Sequence, residues 1–273
     1  MKICIIGAGY VGLVSAAVFA DWGHEVICVD NDVNKIERIV LGDFLVYEAD
    51  LPELVNKNRS EGRLSFSDNP LAGVNEAELV MIAVGTPPGD DGHPNLTSLW
   101  NVVRLLKEHV EHNVIVAIKS TVPVGTCHLV SRYLNNGEGE QYEVVHTPEF
   151  LRQGTAVADF LSPDRVVIGC RTDNSKLKME GLFSPIKARL VLTDWQSSEM
   201  IKYASNVFLA VKISYINTIA NLCEKVDADV QDVVYGVINK FGRWAIIPCI
   251  NMDGDIAKNT ILFKPFLQSL GIL

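Results

Sequence analysis

At 273 residues and 48% hydrophobic content, the chain can bury one substantial core and part of another. A net charge of −9, a pI near 5.2 and the lack of a long basic run argue against nucleic acid or an anionic membrane surface as main partner. No uninterrupted apolar run reaches membrane-span length, and six cysteines scattered without a CxxC pair are expected to be mostly idle thiols in a reducing cytoplasm.

The first thirty residues organise the rest. Ile3 to Ile6 form a short, partly β-branched apolar run that suits a strand buried on both faces. Three glycines interrupt what would otherwise resemble a secretory leader, so the segment is assigned to the fold. Gly7, Gly9 and Gly12 make a G-x-G-x-x-G turn. One glycine permits the tight turn, one lets the backbone approach a diphosphate, and one lets the following helix pack on the strand. That helix begins near Tyr10, and its N-terminus favours phosphate charge. A second strand, Glu25 to Val29, ends at Asp30, where a carboxylate accepts from an adenosine ribose and repels a 2′-phosphate. The cofactor expected is NAD rather than NADP.

Next comes a helix closed by Gly42, on which Lys35 would lie beside the ribose. A helix at Leu51 to Asn58 and strands at Arg63 to Phe66 and Glu78 to Val84 follow, the last running into Thr86. A helix over Leu96 to Val110, capped from Asn95, leads to a strand over Val114 to Lys119 that ends in a loop carrying Thr121. The strand Tyr142 to His146 leads to Glu149, read equally as a general base or as a helix-capping carboxylate. Further strands start at Arg165 and Ala188, with a helix between them near Lys176 to Phe183. Strands alternating with helices predict an α/β fold, a Rossmann-type doubly wound parallel sheet with ligands beyond the carboxyl ends of its strands.

From Ser197, expected as the N-cap, thirty residues without proline or glycine predict one long helix, followed by another over Val230 to Asn239. Lys202 and Asn206 are four apart and share a face. Lysine is rarely buried, so a solvated role is the ordinary reading of Lys202. Held against a ligand oxygen, it would stabilise developing negative charge.

The runs GAGYVGL, GTPP, KSTVPVGT, TPEFLRQGTAVADF, SPDRVVIG and EMIKYASNVFLAVKIS, together with Asp30, resemble the UDP-glucose/GDP-mannose dehydrogenase family over roughly residues 1 to 236. The resemblance implies NAD-dependent oxidation of the C6 alcohol of a nucleotide sugar to the uronate. SPDRVVIG and KSTVPVGT look more like the UDP-glucose branch than the GDP-mannose branch. It also implies roles residue by residue. Gly7, Gly9, Gly12, Asp30, Lys35, Thr86, Thr121 and Gln153 match the cofactor site, with Gln153 standing where a glutamate is common. Glu149, Thr121, Lys202 and Asn206 match catalytic positions. Cys249 and Asp253 keep the spacing of the family's catalytic cysteine and aspartate, without its glycine cluster or P-K-D run.

The expected organisation is an NAD-binding domain over 1–195, a long-helix segment over 196–240 that dimerises through its apolar stripe, and a divergent tail over 241–273 in place of the family's C-terminal nucleotide-sugar domain. No metal is assigned, and the location expected is cytoplasmic. The rival expectation is an NAD-binding fragment impaired in turnover. A β-hydroxyacid dehydrogenase relative is disfavoured by KSTVPVGT and PEFLRQG.

Overall fold

The computed structural model describes residues 1–44, 47–90, 92–136 and 141–241. The described residues fall into two compact units, one made of Met1–Pro87 and Pro94–Lys202, the other of Pro88–His93 and the described residues from Tyr203 onward.

The first unit is built on an eight-stranded sheet. In chain order the strands are β1 (Lys2–Ile6), β2 (Glu25–Val29), β3 (Leu64–Ser67), β4 (Leu79–Ile82), β5 (Val114–Ile118), β6 (Tyr142–His146), β7 (Arg165–Gly169) and β8 (Arg189–Thr193). Their spatial order is β3-β2-β1-β4-β5-β6-β7-β8. The chain winds outward from β1 to β3 and then returns to β4 on the other side of β1. That reversal opens the crevice in which α/β sheets bind ligands. The pairs are parallel except β6 with β7, which meet antiparallel at His146 and Gly169. The expected doubly wound sheet is therefore present with one antiparallel step.

Two apolar layers cover the sheet. Helices α1 (Tyr10–Asp21), α2 (Val33–Val40), α3 (Leu51–Ser60), α6 (Ala156–Leu161) and α7 (Asp173–Leu182) fill one face. Helices α4 (Thr97–His109) and α5 (Thr126–Asn135), with Trp195, fill the other. Helix α1 is buried on nearly every side because Gly12, Ser15, Ala16, Ala17 and Ala20 keep its surface small against the sheet and α3. Its largest side chain, Phe19, is fully buried and meets Trp22, Phe160 and Phe183 edge-on, with ring centroids 5.5, 5.5 and 5.9 Å away.

Helix α8 runs from Trp195 to Val226, 32 residues, and α9 from Val230 to Phe241. The long helix expected from composition is present, but its start differs. Asp194, not Ser197, caps it, accepting from the Ser197 N–H at 2.7 Å and the Ser197 hydroxyl at 3.0 Å. In the second unit, Ile216 of α8 packs on Val234 of α9 with Ile219, Val230 and Val237 around them. No helix among the described residues is long and apolar enough to cross a membrane.

Candidate active site at the carboxyl edge of the sheet

The glycine turn follows β1 as its spacing requires. Gly7 has φ +110, and a Cβ there would lie 2.6 Å from the Ala83 carbonyl oxygen, so a side chain is excluded twice over. A Cβ on Gly12 would lie 1.8 Å from the Gly7 oxygen, which is the close packing of helix on strand. Gly9 differs from both. It is exposed, and a Cβ there meets no heavy atom within 4 Å.

Asp30 continues β2 beside this turn. Its Oδ2 accepts from the Ala8 N–H at 2.8 Å and from Lys35 Nζ at 2.8 Å, while Oδ1 accepts from the Asp32 N–H at 3.1 Å. The carboxylate thereby fixes the turn, and the Lys35 ammonium is paired with it. An open backbone at Gly9 and an anchored carboxylate on the next strand fit a dinucleotide whose diphosphate crosses the turn and whose ribose donates to Asp30.

The loops after β4 and β5 are tied together. The Thr86 hydroxyl donates to the Thr121 carbonyl at 2.8 Å, and the Ser120 hydroxyl to the Val84 carbonyl at 2.7 Å. Beyond β6, Glu149 meets Lys202. Lys202 Nζ donates to Glu149 Oε1 at 2.9 Å and to its carbonyl oxygen at 2.5 Å, and Glu149 Oε2 accepts from the Leu151 N–H at 2.6 Å. Lys202 is only 4% exposed and also lies 5.2 Å from the Phe150 ring centroid. The solvated reading of this lysine is thus replaced by a buried ion pair. Asn206 lies one turn further along α8 and Gln153 on the exposed loop before α6. Cys249 and Asp253 lie outside the described residues.

Several residues that the sequence did not single out hold this edge together. Glu199 is fully buried and accepts from the Gly125 and Cys127 N–H groups at 2.6 and 2.7 Å, at the start of α5. Burial raises its carboxyl above the usual value, and those two N–H groups oppose the rise. His146 Nδ1 meets the Ser198 hydroxyl at 2.7 Å, and burial pushes the imidazole down to about 3, so it stays neutral at ordinary pH. Ser198 and Glu199 thus pin the first turns of α8, and Lys202 with them, to the sheet. Glu48 accepts from the Gly154 and Ala156 N–H groups at 2.6 and 2.8 Å and so clasps the loop that carries Gln153. The signal available for Glu199 was its place three residues before Lys202, on the same helix face.

Of the five cysteines described, Cys4, Cys28, Cys127 and Cys223 are buried and Cys170 partly so, all free thiols. Burial pushes Cys4 up to about 12 and raises Cys28 and Cys127 further above the ordinary value, which makes all three poor nucleophiles. Among the described residues no cluster of three His, Cys, Asp or Glu side chains suits a metal ion.

Residues 1–187 match the NAD binding domain of the UDP-glucose/GDP-mannose dehydrogenase family and residues 196–259 its central domain. The chain is 43% identical over 239 residues to UDP-glucose 6-dehydrogenase YwqF of Bacillus subtilis, covering 87% of this chain and 54% of that protein. It is 45% identical over 244 residues to the UDP-glucose 6-dehydrogenase of Rhizobium meliloti, covering 87% and 56%. A UDP-glucose dehydrogenase structure from Pyrobaculum islandicum superposes with a TM-score of 0.90 at 33% identity, over 99% of this chain and 64% of that one. A GDP-mannose dehydrogenase from Pseudomonas aeruginosa does so with a TM-score of 0.85 at 28% identity, over 100% and 66%. The chain spans little more than half the length of these curated relatives.

Proposed function

We propose, from the premise that this chain belongs to the UDP-glucose/GDP-mannose dehydrogenase family, that it takes part in the NAD-dependent oxidation of a nucleotide-sugar C6 alcohol, with UDP-glucose as substrate and UDP-glucuronate as product. The observation that carries the reading is the buried Lys202–Glu149 pair on the same sheet edge as the glycine turn and Asp30. Residues 1–187 are the NAD binding domain of that family.

In this reading Gly7, Gly9 and Gly12 form the diphosphate cradle, Asp30 and Lys35 hold the adenosine ribose, and Thr86 and Thr121 flank the nicotinamide half. Gln153 offers an uncharged hydrogen-bonding group to a ribose. Bound NAD supplies the acceptor for the two electrons that leave C6. Lys202 and Asn206 polarise the C6 oxygen and stabilise the negative charge that develops on it. Glu149 receives the hydroxyl proton, directly or through a water it positions. A buried pair suits this exchange, because a proton moving between groups already in contact needs little reorganisation around it. Cys249 and Asp253 are assigned the aldehyde step, in which the thiolate would add to the aldehyde carbon to give a thiohemiacetal, a hydride would leave it for a second NAD to form the thioester, and water would hydrolyse that thioester to the carboxylate and free the thiol.

The domain division of this reading is 1–195 for the dinucleotide, 196–240 for the central segment and 241–273 for a divergent tail; the break between the family matches at 187 and 196 supports the first boundary, whereas the central-domain match runs past the second to 259. The occupant proposed for the exposed face of α8 is a second copy of the chain. Phe208, Val211, Tyr215, Leu222 and Val226 are spaced by three, four, seven and four residues, all at least 49% exposed. We place the reaction in the cytoplasm, supplying a uronate for polysaccharide biosynthesis.

The test is a substrate profile, with NADH formation followed for UDP-glucose, GDP-mannose and other UDP-sugars. Preference for UDP-glucose supports the reading, and preference for GDP-mannose moves the chain to the other branch. NAD binding without NADH from any of them supports the rival, a dinucleotide-binding fragment impaired in turnover. Light scattering that finds a monomer at high concentration overturns the dimer.

A further inference from the structure

Helix α6 begins without a cap of its own. Thr155 stands at its N-cap, but its side chain accepts no hydrogen bond there and its hydroxyl donates to Asp159 at 3.3 Å. The carboxylate that serves instead is that of Glu48, 106 residues before Gly154 and 108 before Ala156, whose N–H groups reach its two oxygens at 2.6 and 2.8 Å. Glu48 is 3% exposed, and both oxygens go to this one loop. Its own place is set just ahead of α3, where its carbonyl accepts from the N–H of the buried Leu51 at 3.3 Å. A helix of six residues cannot hold its first turn by itself, so the shape of the chain entering α6 depends on Glu48.

The chain between β6 and α6 passes that dependence on, contact by contact. The Thr155 N–H donates to the Arg152 carbonyl at 3.1 Å, and Asp159 accepts from the Arg152 N–H at 2.9 Å and from its guanidinium at 2.6 Å. One residue earlier, the Leu151 N–H donates to Glu149 Oε2 at 2.6 Å. The other oxygen of that carboxyl group, Oε1, accepts from Lys202 at 2.9 Å. Glu149 thus has one oxygen on Lys202 and the other on a loop whose far end Glu48 holds. The body of α6 does not need the same anchor. Ala156, Val157 and Phe160 are buried, and the Phe160 ring centroid lies 5.5 Å from that of Phe19 and 5.8 Å from that of Trp22. Loss of the Glu48 carboxylate should therefore release the loop without unseating the helix.

We propose that Glu48 is a positioning residue for Glu149, acting through the loop from Leu151 to Ala156. With the loop held, the Leu151 N–H keeps the carboxyl group of Glu149 from turning about its last bond, the motion that would carry it out of line with the proton it is to receive. This role rests on the reaction proposed above. Misplacing a reacting group by about 1 Å costs on the order of a hundredfold in rate, so an anchor five residues from Glu149 is felt in the chemistry.

Glu48→Gln tests it, after a check for a native unfolding transition. The amide keeps the size of the side chain but offers one acceptor oxygen where each of two N–H groups now has its own. Hydrogen exchange followed by NMR is read at Leu151, Gly154 and Ala156, with Phe19 in the core as reference. All three loop amides should exchange about tenfold faster or more in the variant, with Phe19 unchanged. Faster exchange at Gly154 and Ala156 alone makes Glu48 a helix cap and nothing more, which overturns the proposal, as does unchanged exchange at all three. In turnover with NAD and UDP-glucose saturating, kcat should fall about ten- to hundredfold. The same substitution in a Glu149→Gln background should change kcat by less than about twofold, because the group through which Glu48 acts is already gone. An unchanged kcat in Glu48→Gln, or losses that multiply in the double variant, overturn the proposal. If the wild type releases no NADH with any nucleotide sugar, the reaction assigned above fails, and exchange at Leu151 still decides whether Glu48 governs the loop. Glu48→Asp, whose shorter side chain cannot span both N–H groups, takes the place of Glu48→Gln in every measurement if that variant does not fold.

Discussion

Gly9→Ala separates a glycine kept for a ligand from one kept for packing. Gly9 has φ −70 and ψ 178, which alanine adopts without strain, and a Cβ there meets no protein atom within 4 Å. Folding should therefore be unharmed, with a change within about 1 kcal/mol and of stabilising sign, because the unfolded chain loses freedom. The same methyl group enters the space through which a diphosphate reaches the turn. Displacing a phosphate oxygen from one backbone N–H forfeits a hydrogen bond to a charged group, about 1.5–3 kcal/mol, or roughly ten- to hundredfold in Kd. Gly12→Ala is the control, since its Cβ would lie 1.8 Å from the Gly7 oxygen and must displace backbone. Overpacking of that kind costs about 1–3 kcal/mol, so its Tm should fall by roughly 2–12 °C. NADH fluorescence titration gives Kd and thermal unfolding gives Tm. A Gly9→Ala protein that binds NADH like the wild type refutes the cradle, and one as unstable as Gly12→Ala refutes the division of labour.

Glu199→Ala leaves two buried N–H groups without an acceptor, at about 1–3 kcal/mol each, and should cost about 3–5 kcal/mol in urea unfolding. A loss below about 1 kcal/mol contradicts its role in docking α8. Asp30→Ala removes the acceptor for Lys35, the Ala8 N–H and the ribose, and NAD affinity should drop about tenfold or more while discrimination against NADP narrows. Discrimination that stays at the wild-type level, measured by competitive titration, counts against that assignment. Asp194→Ala should cost about 1 kcal/mol at neutral pH as a lost helix cap. The Ser197 N–H and hydroxyl hold Asp194 below its usual 3.8, so the contribution is complete above that value and fades as pH falls through the lowered one. Wild-type and variant stabilities measured by urea unfolding should converge in acid, and a constant gap would show the cap is not what was lost.

Where local rules act alone, the sequence was readable. The glycine turn and Asp30 depend on spacing within one βαβ unit, and Lys35 sits on the helix that follows, so all three lie where the chain order placed them. The long helix was equally plain, because nothing between Ser197 and Val226 interrupts it. What was missed depends on distant partners. Helix α5, TCHLVSRYLN, has a weak pattern of its own and takes its N-terminal carboxylate from Glu199, which lies 72 residues beyond Cys127. Lys119 ends a strand in the sequence, and its burial shows only in the fold, where its ammonium lies 5.2 Å from the Phe160 ring centroid of α6. The antiparallel step at β7 could not be seen either, since α6 lies between β6 and β7 and the alternation there reads as one more parallel crossover.

The central claim is that Lys202, paired with Glu149, acts on the sugar oxygen at the NAD-binding edge. The direct measurement is rapid-mixing NADH absorbance with saturating NAD and UDP-glucose, comparing the wild type with Lys202→Met, and with NAD affinity measured separately for both. The account predicts an early burst of NADH in the wild type, a burst rate at least about a hundredfold lower in the variant, and NAD affinity within about threefold between them. A variant that oxidises the sugar at the wild-type rate would contradict it.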